Sequence, residues 1–364
     1  MKQMRIGMIG VILAVLGIIG TVSADTVSVT DMAGRRIRAP LNPDRIICLG
    51  PGALRLIVYL QALDRVAGVE EMEKRHPHGR PYRVAHPDLV NLPRIGPGGP
   101  AAINKKPDLE AILAVNPEVI FVTYMEAALA DEVQQTLGIP VVVLSYGEST
   151  TFDEAVFVSL KTAGAILDRA ARAEAVIDYI QTLRKDLRGR TADIPKSERP
   201  SAYVGGIGHR GAQGIESTEQ YYFPLDWIHA ENAAEAVKSR IGGHLFVDKE
   251  TILALDPEVI FVDGGGSDLV AADYRKKPSF YQSLKAFQTR RIYGLLPFNY
   301  YATNIGTAVT DAYAMGKVLY PERFKDINPT QKADEIYTFL VGKPVYTQME
   351  AAFGPIGQPM PFSD

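Results

Sequence analysis

One cysteine, one tryptophan and six histidines are spread over 364 residues. A single thiol excludes an intrachain disulfide and any cysteine-based metal cluster. Cys48 lies within the apolar run Arg45-Ile46-Ile47-Cys48-Leu49, so it reads as a buried, inert thiol. Excess charge is scarce too. The formal net charge of −3 leaves no basic surface for nucleic acid. Beyond the N-terminus, no stretch could span a bilayer, which takes ~20 apolar residues. No Gly-x-Ser-x-Gly nucleophile elbow occurs. Hydrophobic residues at 46% and charged residues at 22% exclude a disordered or fibrous chain.

The N-terminus differs in kind. Lys2 and Arg5 precede an apolar run over 6–19, and Val22-Ser23-Ala24 follows with small residues where a signal peptidase reads. This is the pattern of a secretory signal peptide over 1–24, cleaved after Ala24, with the mature protein exported to the periplasm. The run is short for a membrane anchor, and no cysteine near the site invites lipidation.

After a small hairpin expected near 26–37, short apolar runs alternate with helical stretches. Strands are expected at 46–49, 66–69, 119–122, 141–144, 202–204, 259–262 and 291–294, with helices between them such as 54–61 and 127–137. Such alternation predicts parallel sheets covered on both faces. An internal repeat sharpens this. DLEAILAVNPEVIFV, starting at Asp108, returns as DKETILALDPEVIFV, starting at Asp248, identical at eleven of fifteen positions. Each copy reads as a short helix, an Asn-Pro or Asp-Pro stop, then a buried strand. Two copies this far apart imply two similar lobes rather than a solenoid.

Between the copies, Thr151-x-x-Glu154 reads as a capping box. Apolar residues then recur at Val156, Leu160, Ala163, Leu167, Val176, Ile180, Leu183 and Leu187. One helix from Phe152 to about Arg188 would be roughly 55 Å long, at ~1.5 Å per residue. The expected division is a lobe over 25–151, a linking helix over 152–190, a second lobe over 191–342 and a Gly/Pro-rich tail over 343–364. The fold class is thus α/β, with two parallel-sheet (Rossmann-like) lobes joined by a single long helix and a ligand cleft between them.

These features together resemble the class III substrate-binding proteins of iron-siderophore and cobalamin ABC importers, over about 31–342. The repeated Glu-x-Ile-Leu-Ala-x-x-Pro-Glu-Val-Ile-Phe-Val is the most specific part. The resemblance implies capture of an iron(III) chelate and its delivery to a permease with a cytoplasmic ATPase. It also implies that Glu110 and Glu250, one per lobe, dock on permease arginines through charge-assisted bonds. As acids near helix N-termini, both would also gain from the helix dipole. One departure is Arg55, which stands in Gly50-Pro51-Gly52-Ala53-Leu54-Arg55-Leu56 where family members commonly carry Glu. It puts the cargo preference in doubt.

In an open α/β sheet, ligands meet the loops at the carboxyl ends of the strands. Those loops hold Tyr124, His209, Arg210, Tyr221, Tyr300 and Tyr301. Arg supplies charge and Tyr a flat surface with a hydroxyl, and Tyr or His can complete an iron coordination shell. No enzymatic step, resident cofactor or protein-held metal is expected. His76-Pro77-His78 and His86 lack a partner that would complete a metal site. Gly206-Ile-Gly208-His-Arg-Gly211 matches a dinucleotide fingerprint, with Glu231 some twenty residues on, but the next residues do not open an amphipathic helix. A monomer is expected. Other cargoes remain open, namely cobalamin, haem, another metal chelate or a metal oxyanion such as molybdate. A ligand-presenting sensor also stays open.

Overall fold

The computed structural model describes residues 25–75, 78–147, 152–238 and 243–362. The expected signal peptide, His76 and Thr151 of the capping box lie outside the described residues. The chain opens with an antiparallel hairpin, β1 (Thr26–Thr30) and β2 (Arg36–Pro40). Asp31 organises its turn. Its carboxylate accepts from the backbone N–H groups of Ala33 and Arg35 and pairs with the Arg35 guanidinium at 2.6 Å.

Lobe one holds β3 (Ile46–Leu49), β4 (Val66–Gly68), β5 (Val119–Thr123) and β6 (Val141–Leu144), all parallel, in the order β4-β3-β5-β6. Lobe two begins with β7 (Ser201–Gly205). The small antiparallel pair β8 (Ser217–Glu219) and β10 (His244–Phe246) projects from it, on either side of β9 (Glu231–Asn232). With β11 (Val259–Asp263) and β12 (Ile292–Leu295), the second parallel sheet runs β12-β11-β7-β9. Numbered within each lobe, both sheets have the order 2-1-3-4. β3, β5, β6 and β11 are buried at every position, which is why their sequences are unbroken apolar runs.

The two repeat copies fold alike. Asp108 and Asp248 cap the helices Leu109–Ala114 and Lys249–Leu255, accepting from Ala111 N at 3.1 Å and Thr251 N at 2.8 Å. Before each proline the chain turns left-handed, at Asn116 with φ 44° and Asp256 with φ 36°, a conformation Asn and Asp tolerate best after glycine. Phe121 and Phe261, at equivalent positions, are both fully buried. Burying each side chain contributes ~1.5–3 kcal/mol.

Two expectations need correction. The segment expected as one 55 Å strut is two helices, Ala155–Ile166 and Ala170–Thr191, folded back on each other. Lys161 pairs with Glu174 at 3.1 Å and Glu154 with Arg184 at 3.2 Å, pairings that only an antiparallel arrangement allows. Asp168 makes the reversal with φ 51°. A Cβ on Gly164 would sit 2.9 Å from the Ala173 Cβ, so glycine permits the close crossing. The single linking helix is therefore the second of the pair, 22 residues and about 33 Å long.

The C-terminal boundary also shifts. The helix Pro329–Val341 packs on Ile305–Leu319 of lobe two and on the lobe-one helices Ala53–Tyr59 and Pro81–Ala85. His86 Nε2 lies 2.9 Å from Val341 O, and the Tyr179 ring of the linking helix stacks on Phe339. The expected tail is also part of the fold. It carries the helix Tyr346–Phe353, and residues 358–360 bond to the edge of β12 through Gly294 N to Gln358 O and Met360 N to Ile292 O.

Candidate functional site

The shared strand order places a switch point between the first and third strands of each lobe, where open α/β sheets bind ligands. In lobe one these strands end at Gly50 and Thr123; in lobe two they end beside Gly206 and at Asp263. Gly50 and Gly206 both have φ 80°. A Cβ on Gly50 would come within 2.8 Å of Thr123 O. Glycine lets the chain leave the first strand hard against the third.

Beside this point, lobe one buries a charged cluster. Arg55, Glu70, Glu73, Arg80 and Arg83 are all at most 5% exposed. Glu73 binds Arg80 Nη1 at 2.9 Å, accepts from the Tyr82 hydroxyl at 2.8 Å and lies 3.8 Å from Arg83 Nε. Glu70 accepts from Gly50 N at 3.1 Å and from the Tyr301 hydroxyl at 2.6 Å. Burial pushes its carboxyl up to about 7. Arg55 reaches across to lobe two. Its Nη1 donates to Thr303 O at 2.9 Å, and its Nη2 donates to Tyr301 O at 2.8 Å and Tyr300 O at 3.1 Å. The Tyr82 and Tyr146 rings lie 5.1 and 5.8 Å from its guanidinium carbon. Three guanidiniums are thus buried beside two carboxyls.

Lobe two buries carboxyls without arginines. Glu219, Asp263 and Asp311 are at most 2% exposed. Among the described residues, both Glu219 oxygens and Asp311 Oδ2 have no hydrogen-bond partner, while Asp263 accepts from Gly265 N at 2.8 Å and Asp311 from Leu296 N at 3.1 Å. Burial pushes Asp263 up to about 7. Burial also drives Glu219 and Asp311 well above the carboxylate range, with the Asp263 charge adding to it. Burial favours the neutral form of all three acids. Among the described residues, no group of three or more His, Cys, Asp or Glu side chains is placed to hold a metal ion.

Residues 46–297 match the family model described as "Periplasmic binding protein". The chain belongs to this family. A molybdate-binding protein of Haemophilus influenzae, MolA, is 24% identical over 331 residues, covering 85% of this chain and 89% of MolA. Its molybdate-bound structure superposes with a TM-score of 0.68 at 20% identity, over 87% of this chain and 98% of that one. A periplasmic solute-binding protein of Veillonella parvula gives a TM-score of 0.71 at 20% identity, covering 90% and 97%. The petrobactin-binding YclQ of Bacillus subtilis gives 0.56 at 15% identity, covering 87% and 99%. Solute-binding proteins of ABC importers work with permease and ATPase subunits, and the family places this one in the periplasm. Among the described residues, no helix is long and apolar enough to cross a membrane.

In this binding protein the sequence candidates are spread over both lobes. Tyr300 and Tyr301 dock against lobe one. Tyr300 sits close enough to Gly79 that a Cβ there would meet its ring at 3.0 Å, and the Tyr301 hydroxyl is engaged by Glu70 and by Gly99 N at 3.0 Å. His209 and Arg210 are exposed on the loop after β7. Asn299 Nδ2 reaches Gly208 O at 3.5 Å, and the His209 ring stacks on His244 at 4.1 Å. Burial and His209 push His244 down to about 4. Tyr124 at 39% and Tyr221 at 49% exposure stand open. A cavity of about 220 Å³ adjoins the lobe-one strand ends, lined in part by Gly50, Glu70, Gly98, Lys105, Thr123 and Asp108. Glu110 and Glu250 are exposed in the first turns of the two repeat helices. No helix opens after Gly211, as expected.

The buried cluster itself was missed. Glu70 to Arg83 is too rich in charge to read as buried, and Arg55 stood out only as a departure from the resembling family. A usable signal was Arg55 itself, an arginine inside the apolar stretch Leu54-Arg55-Leu56-Ile57-Val58 that has to find buried acceptors.

Proposed function

We propose that this binding protein captures a small tetrahedral metal oxyanion of the molybdate class and delivers it to an ABC permease. The carrying observation is the buried cluster beside the cleft, in which three guanidiniums face two carboxyls. Charge interactions are several-fold stronger at low dielectric than in water, so this excess favours an anion at the strand ends. The space favours a small one. Arg55 and Glu70 hold the loop around Tyr300 and Tyr301 against lobe one, and the adjoining cavity of about 220 Å³ is below the ~300–1,000 Å³ usual for larger ligands. The Haemophilus relative, named for molybdate, supports the same class.

Binding on this reading is reversible and neither makes nor breaks a covalent bond. The lobes close modestly about the linking helix, and Glu110 and Glu250 present the loaded protein to arginines of the permease. The signal run is removed after Ala24. An iron(III) chelate is the second reading. Exposed Tyr124, Tyr221 and His209 favour it, since they offer flat, polarisable surface at the cleft mouth, and the petrobactin-binding neighbour shares the fold. Calorimetry with molybdate, tungstate, sulfate, cobalamin and a panel of ferric siderophores tests the choice. Sub-micromolar binding of molybdate or tungstate is expected. Heat from a ferric siderophore and none from any oxyanion would reverse the two readings.

A further inference from the structure

Arg55 is the member of the buried cluster that spends its donors on backbone of the other lobe. Two of its three interlobe bonds converge on a single nitrogen, with the Tyr300 and Tyr301 carbonyls both accepting from Nη2. Among the described residues it also lacks a carboxylate partner; the neighbours that bear on it electrostatically are Tyr146, Tyr82 and Tyr59. A cation buried without a counter-ion is costly, so this one needs a reason to be there.

The geometry of the peptide unit supplies it. In a trans peptide the C=O of one residue and the N–H of the next point in opposite directions. The Tyr300 carbonyl shares its plane with the Tyr301 N–H, and the Tyr301 carbonyl with the Ala302 N–H. With both carbonyls fixed on Arg55, both N–H groups face away from it, on the far side of the loop. Among the described residues neither amide donates to any acceptor. Tyr301 and Ala302 are only partly buried. An unbonded backbone N–H in the interior is rare, which places this pair toward open space.

Two further features fit. Tyr301 and Ala302 adopt φ 56° and 63° in succession, a left-handed conformation that residues with a Cβ avoid and that persists only where the surroundings impose it. Arg55 binds both flanking carbonyls, and Asn304 Nδ2 joins it on Tyr300 O at 3.1 Å. A hydrogen bond from a guanidinium also polarises the peptide unit that accepts it and strengthens the donor at its other end. Helix Ile305–Leu319 begins just beyond without a side-chain cap, so its dipole adds positive potential at the same place.

We infer that the Tyr301 and Ala302 backbone amides are a donor pair for a tetrahedral oxyanion, and that Arg55 is the residue that positions and polarises them. This rests on the oxyanion reading above. The anion is gripped by main chain, and the charge that strengthens the grip lies behind the loop rather than in contact with the cargo. Glu70, through the Tyr301 hydroxyl, holds the same loop from its side chain.

The test uses the full mature chain labelled with 15N-tyrosine and 15N-alanine, titrated with sodium molybdate. The Tyr301 and Ala302 amide protons are expected to move downfield on binding. Arg55→Met is expected to weaken molybdate binding tenfold or more and to shrink both shifts. Arg55→Lys, which keeps the charge without the fork, should recover part of both; a merely structural role would leave Lys no better than Met. Should Arg55→Met fail to fold, the wild-type shifts and the Lys variant still decide. Molybdate binding that leaves both amides unmoved, or that survives Arg55→Met intact, overturns this inference and spares the oxyanion reading. Absence of binding by molybdate, tungstate and sulfate alike overturns both.

Discussion

The two lobes share a strand order, a repeated helix–turn–strand and equivalent glycines with the same φ, yet lobe one buries arginines among its acids and lobe two buries Glu219, Asp263 and Asp311 beside no arginine. Lobe one compensates its charge with ion pairs, tyrosine faces and carbonyls from across the cleft. Lobe two holds three acids whose burial favours the protonated form. A duplicated scaffold fixes where strand ends and loops will be. It says nothing about what those loops carry, and the electrostatic character of the cleft is set entirely there.

Truncations in the shared scaffold give the largest expected effect. Phe121→Ala and Phe261→Ala should each cost about 3–5 kcal/mol in urea unfolding, and a gap of more than 2 kcal/mol between them would break the equivalence of the lobes. The buried acids should part company. Glu73→Gln leaves Arg80 and Arg83 without their shared partner, and breaking such a buried pair costs about 3–5 kcal/mol. Glu219→Gln, replacing an acid with no partner, should be near neutral or stabilising at pH 7.5. Equal losses in the two variants would mean that Glu219 is charged and compensated.

The pH dependence follows from the same contrast. Glu70 and Asp263 have folded values near 7 against about 4–4.5 unfolded. The native state therefore binds more protons than the unfolded state between those limits, and stability falls as pH rises through that window. Melting temperature should be higher at pH 5 than at pH 8, and Asp263→Asn should flatten the profile. Glu70 also governs local charge. Molybdate affinity should fall as pH rises through 7, and calorimetry at pH 6 and 8 measures the difference.

The smallest effect on folding is expected at the surface. Glu110→Gln and Glu250→Gln should cost only about 0.3–1 kcal/mol each and leave cargo affinity unchanged while lowering uptake, the double variant most. A tenfold loss of cargo affinity in either would place these residues in the cleft.

The seven main strands, the hairpin and the paired lobes were legible because β-branched runs and Asn/Asp-Pro stops carry that information locally. The reversal at Asp168 was not. Apolar spacing continues through Leu160, Ala163 and Leu167 to Val176, and no glycine or proline marks the turn; an aspartate in left-handed conformation makes it instead. The β8–β10 pair has strands of only three residues, too short for a period to register. Tyr300 and Tyr301 were named as cleft candidates from their place after a strand. That Arg55 and Glu70 would seize their loop depends on contacts between residues more than 200 positions apart, which no local pattern encodes.

The helix Pro329–Val341 gives the molecule a second crossing between its lobes, beside the linking helix. Two rigid bodies joined at one point can swivel in any direction, whereas two joined along a line of two points keep a single easy rotation, about that line. Loading and unloading are then a door's motion rather than a ball joint's. A permease that grips the outer rims has leverage on the cleft loops without any need to steer them, because the frame has already chosen the path along which they part.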